Sequence, residues 1–212
     1  VKPVDPAYLK IRAVHIDCFT KISGDYLPYL TSPMGEGDPE TVLDRLSRAG
    51  VNLLVLHEKW NKIQNYWECA EQTRAEIARL VRLCHGRGIR VIPYFGYEIT
   101  SPMPAFAAVR DEVAWMPAEA SAPDSGWYRV PFQRALKVCY QSGWREKLAE
   151  GILRCVDDFG FDGVYLDSTT APFGCVNARH GCGYRGEDGA LHPTYPVFAT
   201  RELMTRVCAG IH

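Results

Sequence analysis

The sequence predicts an α/β fold of parallel strands and alternating helices, and within that class the N-terminal half of a TIM-type (β/α)8 barrel. Three observations lead there. Residues 161–168 read as a strand apolar on both faces, the pattern of a sheet covered by helices, and they end in Asp167 and Ser168. Extended apolar runs alternate with helical periodicity four times along the chain. Long aromatic loops follow the runs, all on one face of such a sheet. A full barrel needs about 250 residues, so four βα units make half of one, and residues 1–212 form a single partial-barrel domain. No Gly-x-Gly turn follows the first strand. Asp17-Cys18-Phe19-Thr20 stands there instead, which argues against a dinucleotide-binding sheet.

Taken in order, Pro3 and Pro6 make the first ten residues an extended lead-in. Residues 11–18 form the first strand, with Val14 and Ile16 on one face and Ala13, His15 and Asp17 on the other. A long loop, 19–37, precedes a helix that Asp38-Pro39-Glu40 is expected to open, Asp as cap and Pro in the first turn; Gly50 ends it. The second strand, 51–56, delivers His57 and Glu58. An aromatic loop follows with Trp60, Tyr66 and Trp67. Helix 72–85 carries Ile77, Leu80, Val81 and Cys84 at helical spacing. The third strand, 89–95, leads to Tyr97 and Glu98. Residues 100–140 read as irregular, with Trp115, Trp127 and a short helix near 105–113. Ser142 caps a helix over 144–159, Gly160 turns the chain, and the fourth strand follows. After a glycine-rich loop, 168–194, the last helix begins near Pro196.

Composition narrows the function classes. With 47% hydrophobic and 23% charged residues and a net charge of −1, the chain has no basic block for nucleic acid and no run long enough to span a membrane. It begins at Val1 and carries no signal-peptide pattern, as expected of a processed form or an excised piece, and its last helix is expected to run on into further chain. The remainder of the barrel, or a second copy, is the expected protein partner, because a bare half-barrel would expose sheet edges and an apolar face.

The strand tips carry the chemistry: Asp17, Glu58 beside His57, Glu98 beside Tyr97, and Asp167. Trp60, Trp67, Tyr97 and Trp127 lie in the same loops. Carboxylates among aromatic rings suit sugars, whose C–H faces stack on rings while hydroxyls bond to acids. Glycoside hydrolysis needs two carboxyl groups, roughly 5–5.5 Å apart when configuration is retained. Asp167 is the best single candidate for one of them, and Glu98 and Asp17 are the other candidates for the catalytic set. His15, His57, Glu58, Trp60, Tyr97, Tyr165 and His180 are the candidate substrate-binding residues. No cofactor and no metal are assigned.

A family resemblance agrees. The segment Gly88-Ile89-Arg90-Val91-Ile92-Pro93-Tyr94-Phe95-Gly96-Tyr97-Glu98, then Asp111-Glu112-Val113-Ala114-Trp115, then residues 160–167, resembles glycoside hydrolase barrels of the α-galactosidase type. The loop from Cys175 to Tyr184 and the helix around Phe198 and Met204 are similar to uncharacterised bacterial glycoside-hydrolase-like proteins grouped near N-acetylgalactosaminidases. The resemblance implies a bacterial carbohydrate hydrolase, extracellular or periplasmic, with Asp167 as nucleophile. Ser168 stands where hexosaminidases that use substrate assistance carry a second acid, so the resemblance does not extend to that mechanism.

Other readings stay open. A catalytically silent carbohydrate-binding barrel would share fold and aromatics. A metal-dependent hydrolase would use His15 and Asp17. Cys175, His180 and Cys182 suit a zinc site lacking an evident fourth ligand, a Cys175–Cys182 disulfide, or free thiols. His57-Glu58 also reads as an ordinary strand-end pair, His85 as a helix C-terminal residue, Asp162 as structural at the far end of the strand, and Trp144, Cys84 and Cys155 as core.

Overall fold

The computed structural model describes residues 6–16, 26–57, 60–61, 63–119, 133–169 and 172–212. Its elements in chain order are β1 (Ala13–Ile16), α1 (Tyr26–Thr31), β2 (Pro33–Gly35), β3 (Asp38–Thr41), α2 (Val42–Arg48), β4 (Leu53–Leu56), α3 (Glu71–His85), β5 (Arg90–Phe95), β6 (Glu98–Thr100), α4 (Phe106–Val113), β7 (Ala135–Lys137), α5 (Trp144–Phe159), β8 (Tyr165–Leu166), β9 (Tyr184–Arg185), β10 (Leu191–His192) and α6 (Val197–Ile211). They divide into two compact units. One comprises Val1–Lys62, Cys69–Tyr94 and Cys155–Tyr165, the other Ile63–Glu68, Phe95–Arg154 and Leu166–His212.

The first unit holds a four-stranded sheet in the order β1-β4-β5-β8, with β1–β4 and β4–β5 parallel. The four strands are the four expected, separated by helices as expected. Register aligns Val14 with Leu54 and Val91, and His15 with Val55 and Ile92. Successive side chains alternate faces. Leu54, Leu56 and Val91 are therefore fully buried on one side, as are Leu43 of α2 and the α3 stripe Ile77, Leu80, Val81 and Cys84. On the other face Ala13 and His15 are exposed and Leu53 and Ile92 half-buried. Val55 and Tyr94, on that same face, are buried, so it is open mainly at the β1 edge.

At the N-terminal end of the sheet, Asp162 takes the structural part expected of it. Its carboxylate accepts from the Val91 amide (2.7 Å) and pairs with His85 Nε2 (2.8 Å), while its own amide donates to the Val91 carbonyl (2.9 Å). A side chain thus replaces one rung of the ladder and pins the last turn of α3. Gly160, at φ +73°, makes the left-handed turn that joins α5 to this segment. Only Tyr165 and Leu166 of the expected fourth strand are paired as strand.

The helix expected to open at Asp38 does not. Residues 38–41 form β3, which pairs back on β2 around a turn with Gly37 at φ +81°. Asp38 accepts from the Glu40 amide instead of capping a helix. The helix begins after Thr41, whose hydroxyl accepts from the Asp44 amide (3.2 Å) and donates to the Asp44 carboxylate (2.6 Å), while the Thr41 amide donates to that carboxylate (3.1 Å). This reciprocal box satisfies two otherwise orphaned donors, which Asp38 cannot do because Thr41, not an acid, stands three residues after it. The Thr41 hydroxyl, then Arg87 (2.8 Å), lower the Asp44 pKa to about 2. A depressed carboxylate contributes stability that is present above its unfolded value and lost as pH falls through the folded one. Wild-type protein is therefore expected to lose thermal stability between about pH 4 and pH 2 through this group. Thr41→Ala is expected to cost about 0.5–2 kcal/mol at neutral pH and to flatten that acid limb. Thermal melts across pH check it; an unchanged acid limb would remove Asp44 as its source.

The second unit contains an antiparallel hairpin that pairs Glu98 with Lys137, Ile99 with Leu136 and Thr100 with Ala135. Residues 100–140 are thus less irregular than their prolines suggest, because α4 and this hairpin organise their described part. Helix α5 starts at Trp144, whose amide donates to Ser142 Oγ (3.3 Å), and Trp144 is 2% exposed, a core residue as expected. The glycine-rich loop after Asp167 contains a short hairpin, β9–β10. Among the described residues no helix is long and apolar enough to cross a membrane.

Candidate functional site

In the first unit the open face of the sheet ends in a cluster of rings, one from each strand or its tip. His15 meets His57 edge-on at 4.6 Å, His57 lies 4.1 Å from Tyr94, Tyr94 stacks on Tyr165 at 5.6 Å, and Tyr165 lies 5.7 Å from His15. Adjacent strands lie about 4.8 Å apart, and the register that aligns Leu56 with Pro93 brings His57 beside Tyr94. His15 and Tyr165 are exposed and His57 half-buried. The Tyr26 hydroxyl donates to the His57 carbonyl at 2.7 Å and holds that tip. Tyr94 was not singled out in the sequence. Its signal was the alternation that puts it on the face of Ile92, beside His57.

Trp60 is not a platform. It is 3% exposed, its indole N–H donates to the Tyr94 carbonyl (2.8 Å), and its ring meets Phe159 and Phe161 edge-on. A ring enclosed in this way offers no face to a sugar. Asp17, Glu58 and Trp127 lie outside the described residues.

In the second unit Asp167 directly follows β8. Its amide donates to the Phe95 carbonyl (3.0 Å), and its carboxylate accepts from the Ser168 amide (2.8 Å). Ser168 makes that contact in the left-handed region, at φ +53°, uncommon for a residue with a side chain. Asp167 is half-buried. Tyr140 is buried, and its phenol is pushed above its ordinary range by that burial, then by the charge of Asp167 and by Tyr97. Tyr140 was missed because nothing in its sequence neighbourhood distinguishes it.

Glu98 is buried, at 3% exposure. Gln64 Nε2 donates to its carboxylate (2.9 Å), and Asn65 Nδ2 donates to its carbonyl (3.1 Å). Asn65 also accepts from the Gly96 amide (2.6 Å) while itself at φ +56°. The loop before α3 therefore clamps the strand end that carries Glu98. Tyr97 lies half-buried, 5.4 Å from Phe173. The Lys137 ammonium sits over Phe173 (4.5 Å), Trp115 (5.1 Å) and Tyr97 (5.8 Å). This intramolecular cation–π cage engages the Tyr97 ring.

His180 lies among cysteines. Its Nε2 is 3.4 Å from Cys175 Sγ and its Nδ1 2.7 Å from the Glu112 carbonyl. Cys139 Sγ lies 3.8 Å from Cys182 Sγ, and all four ligand atoms are within 4.8 Å of one another. Cys175 and Cys182 are both free, so the disulfide alternative does not hold in this structure. The fourth group that the sequence did not offer is Cys139, brought over by the return strand β7. A hydrogen bond with Cys139, with help from His180 and the Met116 and Asn177 amides, lowers the Cys175 pKa to about 4 against the opposing effect of burial. Burial, then the Cys175 charge, pushes Cys182 up to about 11.

No family model matches the chain, and no curated protein matches it. Solved structures do. The chain shares its fold with glycoside hydrolases. The α-N-acetylgalactosaminidase from Bifidobacterium bifidum aligns over 95% of this chain and 33% of its own, with a TM-score of 0.56 and 16% identity. The α-galactosidase from Thermus thermophilus, in complex with stachyose, aligns over 80% and 33%, with a TM-score of 0.53 and 18% identity. The GH31 α-xylosidase from a soil metagenome, complexed with xylose, aligns over 80% and 25%, at 0.54 and 12%. The chain thus spans a quarter to a third of these glycoside hydrolases. The likeness read from the strand and loop motifs holds at the level of fold.

Proposed function

We propose that this chain forms the first half of a glycoside hydrolase barrel and supplies the nucleophile, Asp167, for a retaining hydrolysis of a carbohydrate glycosidic bond. The observation that carries this reading is the carboxylate of Asp167, held by the Ser168 amide directly after the fourth strand of the sheet, at the strand end where barrels of this class do their chemistry. One Asp167 oxygen attacks the anomeric carbon as the bond to the leaving oxygen breaks. The leaving oxygen takes a proton from a second carboxylic acid. Water, deprotonated by that same residue, then releases the sugar from Asp167. The Ser168 amide donates to one carboxylate oxygen and restricts its rotation. Glu98, buried against Gln64, is the candidate in the same unit to hold the strand end that lies beside Asp167, and the acid/base partner comes from the remaining strands.

The solved neighbours' named ligands and substrates are galactosides, N-acetylgalactosaminides and xylosides, so α-linked sugars are the first class to assay. An activated 5-fluoro-galactosyl fluoride is expected to label the protein once, on the peptide containing Asp167, by mass spectrometry. A label on any other carboxylate would reassign the nucleophile.

A further inference from the structure

Four side chains from separate stretches of the second unit converge: Cys139 just beyond β7, and Cys175, His180 and Cys182 from the loop before β9. The three cysteines are buried and His180 half-buried. A tetrahedral zinc ion with zinc–sulfur bonds of about 2.3 Å and zinc–nitrogen bonds of about 2.0–2.1 Å has sulfur–sulfur edges of about 3.8 Å and sulfur–nitrogen edges of about 3.6 Å. The Cys139–Cys182 sulfurs are 3.8 Å apart and the Cys175 sulfur is 3.4 Å from His180 Nε2. A disulfide would need sulfurs about 2.05 Å apart.

The histidine's orientation agrees independently. The Glu112 carbonyl can only accept, so the Nδ1 that faces it carries a proton, and Nε2 is the nitrogen left facing Cys175, able to ligate once any proton on it is lost. A ligating imidazole is oriented in this way by a second group on its other nitrogen. The Met116 and Asn177 amides also donate to Cys175 Sγ, at 3.4 and 3.5 Å, an arrangement suited to a thiolate.

We propose that Cys139, Cys175, His180 and Cys182 bind one zinc ion in a closed, four-coordinate structural site. Three thiolates and one imidazole form a soft donor set, and a tetrahedron of them selects zinc over magnesium, calcium or manganese. Four protein ligands leave no position for water, so the site fastens structure and performs no chemistry. On binding, the cysteines that are still thiols release their protons to solvent. The ion ties the end of the β6–β7 hairpin to the loop beyond Asp167. That loop also carries Phe173, packed on Tyr97 and Trp115, and bridges through Cys175 to Thr194 ahead of α6. Asn177 adds bonds to the Asp111 and Ala114 carbonyls at the end of α4.

The test is metal content of the purified protein by inductively coupled plasma mass spectrometry, with cobalt substitution as the ligand readout. One zinc per chain is expected, held at nanomolar affinity or tighter on the order of other structural sites. The cobalt form is expected to show the intense visible bands of tetrahedral thiolate coordination. Cys139→Ser and Cys182→Ser are each expected to lose more than the roughly 10–100-fold in affinity that removal of an outer-shell partner costs. Cys69→Ser and Cys208→Ser, outside the cluster, are expected to keep the ion. A folded wild-type protein that takes up no zinc overturns the proposal. So does zinc retained by both ligand variants, or a Cys139–Cys182 disulfide found by mass spectrometry. If the ligand variants fail to fold, wild-type stoichiometry and the cobalt spectrum still decide.

Discussion

On the proposed function, Asp167→Asn in the full-length parent protein is expected to reduce kcat on an aryl α-galactoside by roughly 10⁴-fold or more, the scale on which removing a covalent nucleophile or its activation acts elsewhere. Asparagine keeps an oxygen to accept from the Ser168 amide and nearly the same volume, so the left-handed turn at Ser168 and the bond to Phe95 should persist. The loss is therefore chemical and not structural. It should appear in kcat and kcat/KM together, with the melting temperature within about 1–2 °C of wild type. A cavity variant, Asp167→Gly, with added azide is expected to recover turnover and yield a glycosyl azide, because the small anion occupies the vacated site. Turnover by Asp167→Asn within tenfold of wild type would exclude Asp167 as nucleophile. Glu98→Gln separates the roles. Glu98 is buried against Gln64, so its loss should lower activity through the position of the strand end, and azide should not rescue it.

Gly151→Ala is expected to destabilise the protein, against the helix-propensity trend. Gly151 lies within α5. Replacing glycine by alanine inside a helix normally gains about 1 kcal/mol. Here the added Cβ would lie 2.1 Å from Trp67 Cε3, 2.2 Å from Cδ2 and 2.8 Å from Cγ. The indole cannot step aside cheaply, because it is packed on Tyr66 (4.4 Å) and Trp144 (5.7 Å). Overpacking of this kind costs about 1–3 kcal/mol and occasionally more, which outweighs the propensity gain. At roughly 2–4 °C per kcal/mol for a chain of this size, a fall of several degrees in melting temperature is expected. Trp67→Ala should turn the same glycine substitution from harmful to helpful. A stabilising Gly151→Ala in the wild-type background would show that the indole yields freely.

Much of this was written in local pattern. The four strands, helix α5 with its Ser142 cap, the buried stripe of α3, and the structural place of Asp162 follow from alternation, helical period and cap chemistry, which depend on neighbours in sequence. The exceptions followed competition between local signals. At Asp38 a capping pattern lost to the reciprocal Thr41–Asp44 box three residues on and to a hairpin around Gly37.

Tertiary structure decided the rest, because it depends on which distant segments meet. Trp60 reads as an exposed loop aromatic, yet the Tyr94 carbonyl and two phenylalanines enclose it. Tyr97 stacks with the chain's own Lys137 cage. Tyr94 meets His57 only because the register of parallel strands sets β5 beside β4. Cys139 reaches Cys175, His180 and Cys182 only because β7 returns along β6 and carries the chain back to that loop. The sequence alone determined the α/β alternation and the carboxylate at the tip of the fourth strand. Which aromatics face outward, and that three cysteines and a histidine share one point, were decided by long-range pairing, since a side chain's neighbours across a sheet or between loops leave no period in the sequence.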